Sequence, residues 1–199
     1  MTLGKGRAAA ITDSDFATLA DTLECHPADL EAIAEVESSG FGWFRDGRIK
    51  ILFEKHWFYK LLPAGKRDEA VRRGLARKRW ISPSQGGYHE QKDADERYRL
   101  LADAMVIDRE AALCSVSIGR FQIMGFNHEI CGFASAAAMW AAFLDSEANQ
   151  LSALGDFLRS KGLVSALRKR DFAKIEHGYN GGGLGGLYAR RMKVASDRL

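Results

Sequence analysis

The chain has 199 residues, 46% hydrophobic and 28% charged, with 29 Lys+Arg against 26 Asp+Glu for a net charge of +3. That composition excludes disordered, collagen-like and disulfide-scaffold proteins, and the length suffices for one domain, or two close lobes, with a real core. So small a positive excess permits an anionic polymer as partner but does not argue for nucleic acid.

The N-terminus carries Lys5 and Arg7 with no apolar stretch behind them, and Asp13 and Asp15 follow at once. It predicts no signal peptide, so synthesis in the cytoplasm. No apolar run approaches the ~18 residues of a membrane span. Thr12 with Asp15 predicts a capping box opening a helix over 13–24. Pro27 predicts the first turn of a second helix, ending near Ser39 at Gly40. Asp46-Gly47 before Ile49-Lys50-Ile51-Leu52-Phe53 predicts a β-hairpin over 42–54. Further helices are expected over 55–62 and 66–80, then a loop over 82–88, with the one candidate joint in the chain near 82–92. Helical patterns then cover 93–115, 134–160, 163–169 and 171–177, and a glycine-rich break at 181–186 precedes a last basic helix. The fold class expected is mainly α with one small hairpin. Cys25, Cys114 and Cys131 are too irregularly spaced for a disulfide framework or a zinc motif, which predicts free thiols and a reducing compartment.

One residue does not suit its position. Leu30, Ile33 and Ala34 mark the buried stripe of the second helix, and the same spacing puts Glu37 on that stripe. Burial and the negative end of the helix dipole both favour the protonated acid. Such an acid can donate a proton to a leaving group. It could equally turn outward or pair with an arginine. Glu54 ends the hairpin strand on the face of Lys50 and Leu52, opposite Ile49, Ile51 and Phe53. Two carboxylates flanking a groove are the equipment of glycoside hydrolysis. Glu54 could instead pair with Lys55 or Arg48 and hold the hairpin, and Asp46 suits its turn.

Three motifs occur in order: Ala34-Glu35-Val36-Glu37-Ser38-Ser39-Gly40, Ser117-Ile118-Gly119-Arg120-Phe121-Gln122-Ile123-Met124 and Gly178-Tyr179-Asn180-Gly181. The set resembles the lysozyme superfamily, including goose-type lysozymes and soluble lytic transglycosylases. With Ile51-Leu52-Phe53-Glu54-Lys55-His56, Gly86-Gly87 and Tyr98-Arg99-Leu100, it is most similar to the phage N-acetylmuramidases, a group of endolysins. The match runs over about 12–195. The charged segment 89–97 and Ile118 depart from the family pattern.

The resemblance implies an α+β lysozyme-like fold, two lobes around a glycan groove with the hairpin beside the catalytic helix. It implies Glu37 as catalytic acid, Ser117 as a hydroxyl near it, Gln122 as groove wall, Tyr179 as the phenol orienting the acid and Asn180 as a substrate-side amide. Ile123 and Met124 are expected in the core. Phe121 is either core or a sugar platform on the substrate side. His56 is either a structural histidine or a groove residue. Glu54 is either the second catalytic carboxylate or a structural one.

The expected activity is cleavage of the β-1,4 bond between N-acetylmuramic acid and N-acetylglucosamine in peptidoglycan, with no metal and no cofactor. A lytic transglycosylase and a non-catalytic wall-binding module are the rivals. The expected protein is a monomer, a single catalytic domain over 1–199 with no separate wall-binding module and no membrane insertion. It would reach the wall in the periplasm after holin release. Lys66, Arg67, Arg72, Arg73, Arg77, Lys78 and Arg79 form a basic stretch, either a solvated helix face or a source of wall affinity.

Overall fold

The structure, a computed structural model, describes residues 3–181 and 185–199, without the Asn180 side chain. Helix α1, Asp13–Leu23, opens on the expected capping box: Thr12 Oγ1 accepts from Asp15 N–H, and the Asp15 carboxylate accepts from Thr12 N–H at 2.8 Å. Helix α2, Pro27–Ser38, starts with proline at its first position. Helices α3 (Lys55–Leu61) and α4 (Ala64–Arg72) follow. Helix α4 stops well short of the expected residue 80, because Gly74 turns left-handed with φ +70°.

Two long helices expected from periodicity are each broken in two. Asp108 takes extended backbone between α5 (Ala94–Ile107) and α6 (Arg109–Cys114), and its carboxylate accepts from Ala111 N–H at 3.0 Å. Ser146 does the same between α7 (Ala136–Asp145) and α8 (Glu147–Ser160), its Oγ accepting from Asn149 N–H at 3.2 Å. Short polar side chains offer the backbone an alternative to the helical ladder, and the apolar pattern runs on regardless. The chain ends with α9 (Val164–Arg168), α10 (Phe172–Asn180) and α11 (Leu187–Arg198). Helix α11 lies along α2.

The expected hairpin over 42–54 needs correction. Asp46-Gly47 does turn the chain, with Phe44 N–H donating to Arg48 O at 2.8 Å and a single bridge between Trp43 and Ile49. The strand that follows, β1 (Ile51–Phe53), pairs instead with β2 (Val116–Ile118), and β2 pairs with β3 (Ile123–Met124), all antiparallel. The short apolar runs at 116–118 and 123–124 carry no strand signal of their own. Gly119 begins the β2–β3 connection at φ +76°, where a Cβ would come within 2.3 Å of Gln150 Oε1. Only glycine fits there.

The free edge of β1 is covered by side chains from the start of α5 and the loop before it. Gln91 acts as a substitute strand: its Oε1 accepts from Phe53 N–H and its Nε2 donates to Phe53 O, both at 2.8 Å. Arg97 and Tyr98 donate to the carbonyls of Ile51 and Ile49, each at 2.8 Å. Ile49, Ile51 and Phe53 are fully buried, while Lys50, Leu52 and Glu54 on the other face are half-buried. The charged segment 89–97 is therefore structural: it seals an edge strand.

Gln91→Leu keeps the volume and leaves the buried Phe53 N–H and C=O unpaired. It should lower unfolding stability by about 2–4 kcal/mol in urea titration. A loss below about 0.5 kcal/mol would show that the edge is sealed in some other way.

Candidate active site

Glu37 lies in the last turn of α2, half-buried, with Leu30, Ile33 and Ala34 fully buried on the same stripe. Two successive left-handed residues, Ser39 at φ +58° and Gly40 at φ +79°, end the helix and turn the chain away. Ser38 folds back, its Oγ donating to Ala34 O at 3.1 Å. Two phenols lie close enough to Glu37 for its charge to act on them. Burial, and then the Glu37 charge, push the Tyr179 hydroxyl well above the usual tyrosine range. The same two causes, in the same order, raise Tyr188 at the start of α11. Both phenols therefore stay neutral beside the acid.

Lys50 Nζ donates to the Ser38 carbonyl at 2.6 Å, at the negative end of α2. A cation there offsets the helix dipole. The repulsion of an anion expected at a bare helix end is thereby weakened. Burial, and then the Arg97 charge, also pull the Lys50 amine below its usual value.

Lys50 begins a continuous sheet face. Leu52 opposes Ser117, and Ser117 opposes Met124, so these side chains share one side of the sheet with Lys50 and Glu54. The face starts at the end of α2 and reaches Glu54 roughly 13 Å further along the strand. Glu54 has been fixed in place. Tyr88 Oη lies 2.9 Å from both carboxylate oxygens, and His56 Nδ1 lies 3.2 Å from Oε2. Tyr88 in turn accepts from Trp80 Nε1–H at 2.9 Å, and the Trp80 side chain is exposed. The ion pairs considered for Glu54 are otherwise engaged: Lys55 binds Glu90, and Arg48 binds Asp46 and Asp95.

The β2–β3 connection carries the second motif. Ser117 Oγ donates to Gln122 Oε1 at 2.9 Å, and Gln122 Nε2 donates to Gly119 O at 2.8 Å. Gln122 sits at φ +47°, an unfavourable left-handed conformation for a residue with a side chain. Tyr179 Oη donates its one hydrogen to the Phe121 carbonyl at 2.5 Å. The Phe121 ring is 1% exposed and belongs to the core, which corrects its expected place on the substrate side. A ring with no free face cannot stack on a sugar; what Phe121 offers is its carbonyl. Asn180 ends α10, and its side chain lies outside the described residues.

The structure thus gathers Glu37, Tyr179 and Lys50 at one end of the sheet face, with Ser117 on β2 and Gln122 on the adjoining turn. Glu54 and His56 form a second group at the other end. Tyr188, Lys50, Tyr88 and Trp80 were not singled out from the sequence as site residues. The alternation from Ile49 to Glu54 puts Lys50 on the Glu54 face, but nothing in the spacing of the other three marks them, because folding alone brings α11 and the 80–88 segment to this face.

The N-acetylmuramidase family model matches residues 26–199. The chain belongs to that family. A solved structure, the Burkholderia AP3 phage endolysin, is similar with a TM-score of 0.79 and 36% identity, over 99% of this chain and 74% of that one. Comparison with curated proteins gave no match. The muramidase is a glycoside hydrolase of peptidoglycan with a mainly α, lysozyme-like fold. Among the described residues, no helix is long and apolar enough to cross a membrane.

The strain at Gln122 gives a direct test of its place in this muramidase. Gln122→Gly relieves the left-handed backbone and loses two side-chain hydrogen bonds, effects of about 1 kcal/mol each that oppose one another. Stability should stay within about 1 kcal/mol of the parent, while wall-lytic turnover falls at least ~10-fold. Unchanged turnover would remove Gln122 from the site.

Proposed function

We propose that Glu37 is the general acid of an N-acetylmuramidase of the endolysin type. Protonated, it donates to the oxygen joining N-acetylmuramic acid to N-acetylglucosamine. Positive charge develops on the muramic acid ring as that bond breaks, and water completes hydrolysis. The observation that carries this reading is the setting of Glu37: a half-buried carboxyl at a helix end, close to the neutral phenols of Tyr179 and Tyr188. Neutral hydroxyls hold an acid in place without ionising it.

The sugar chain would lie along the Lys50–Leu52–Glu54 face, with Ser117, Gln122 and Asn180 offering neutral groups to its hydroxyls and acetamides. Glu54, fixed by Tyr88, supplies negative charge at the far end of that face, with His56 as its neighbour rather than a substrate group. It assists water or stabilises charge. The likeness to a phage endolysin supports the wall of a bacterial host as the place of action. In this reading the enzyme reaches it as a monomer through a holin lesion. The basic stretch contributes to wall affinity chiefly through the exposed Arg72, Lys78 and Arg79, since Lys66, Arg67, Arg73 and Arg77 bind groups of the protein itself.

Digestion of purified peptidoglycan tests the chemistry. The parent should release reducing muramic acid ends, and Glu37→Gln should lose about 10²–10⁴-fold in rate while unfolding normally. A product ending in 1,6-anhydro-muramic acid would make the enzyme a transglycosylase. Full activity in Glu37→Gln would remove the acid altogether. Glu54→Gln should cost about tenfold, clearly less than Glu37→Gln; a loss as large as that of Glu37→Gln would make the two carboxylates equal partners.

A further inference from the structure

We propose that Glu110, Cys114 and His128 form a site for a borderline-soft divalent cation, zinc above all. One donor atom from each residue lies within 4.8 Å of the other two, and Cys114 Sγ is 3.9 Å from Glu110 Oε1. A tetrahedral zinc with bonds of about 2.0–2.3 Å sets its donors roughly 3.3–3.7 Å apart. The three donors need close by only about an ångström to reach that spacing. Thiolate, imidazole and carboxylate are zinc's own ligand types, whereas magnesium and calcium would require oxygen throughout.

The second observation is the setting of the histidine. His128 Nδ1 lies 3.1 Å from the Phe133 carbonyl, which holds the ring hydrogen on Nδ1. The lone pair is then on Nε2. A metal-binding histidine is characteristically oriented in this way, by a main-chain carbonyl on its other nitrogen. Glu110 is oriented too, its Oε1 accepting from Ala136 N–H at 3.2 Å at the start of α7. Glu110 is exposed, and Cys114 and His128 are half-buried, so the site opens to solvent and can hold water as a fourth ligand.

Sequence spacing alone does not reveal this grouping. Glu110 and Cys114 are one turn apart on α6, and His128 reaches them only because β2 and β3 turn back on themselves. That placement gives the site its purpose. Cys114 precedes β2 and His128 follows β3, so an ion between them ties together the two ends of the segment that carries Ser117 and Gln122. Protonation of a glycosidic oxygen by a carboxylic acid requires no metal. The ion is a structural clamp, and its effect falls on stability.

Chelator-treated protein titrated with zinc chloride and, separately, cobalt(II) chloride tests the site. About one equivalent should bind, cobalt should give a thiolate charge-transfer band, and zinc should raise the unfolding temperature. Cys114→Ser and His128→Ala should each weaken binding at least ~10-fold and abolish the cobalt band, while Cys25→Ser keeps both. Helical circular dichroism of the chelator-treated variants checks that they are folded, and Glu110→Gln supplies a third, milder ligand change. Failure of the parent to bind either ion, or survival of the cobalt band in Cys114→Ser, would overturn the proposal.

Discussion

The site depends on one short strand that is pinned on both edges. Residues 49–53 bury one face completely and leave the other for function. On one edge β1 pairs with β2; on the other, Gln91, Arg97 and Tyr98 satisfy its backbone. A strand with a period of two cannot slip by one residue without turning Lys50 and Glu54 into the core. The hydrogen bonds along both edges therefore fix which face stays out of the core. Lys50 then joins that face to the end of α2 through the Ser38 carbonyl, at the residue next to Glu37.

Left-handed backbone recurs at the candidate site, as it does at Ala8, Glu24 and Arg170 elsewhere. Ser39 and Gln122 both take left-handed backbone, one just past the acid and one on the β2–β3 turn. Side-chain-bearing residues hold such geometry at a cost of order 1–3 kcal/mol, and only when the surroundings over-determine it. Around Gln122 the surroundings are visible: Ser117 and the Gly119 carbonyl grip its amide, and Gly119 leaves room for Gln150. The amide is thereby held in one orientation, which would lower the cost of binding the proposed substrate. The Tyr179 bond to the Phe121 carbonyl ties α10 to the same turn.

Much of this was legible in the sequence, and the parts that were not share a cause. Local signals worked: the Thr12 capping box, Pro27 at a helix start, the Asp46-Gly47 turn and the alternation from Ile49 to Glu54 all appear as read. The stripe that placed Glu37 among Leu30, Ile33 and Ala34 was legible because a helical period survives without tertiary knowledge. Breaks at Asp108 and Ser146 were missed because a capping residue inside an apolar pattern leaves the pattern intact. The partner of β1 was missed because strand pairing across more than sixty residues leaves no local trace. For the same reason the sequence could not show that Tyr88 and His56 hold Glu54, that Tyr188 comes close to Glu37, or that His128 meets Cys114. Phe121 misled because an aromatic beside a sugar-binding amide looks like a platform until its burial is known.

The central claim is that Glu37 and the Lys50–Glu54 strand face form one groove. A crystal structure of Glu37→Gln with a muramic acid-containing tetrasaccharide measures this most directly. The scissile oxygen should lie within about 3.2 Å of the side chain at position 37, with the glycan over Leu52 and Ser117 toward Glu54. A glycan seated away from the β1 face, with position 37 out of hydrogen-bond reach of any glycosidic oxygen, would contradict it.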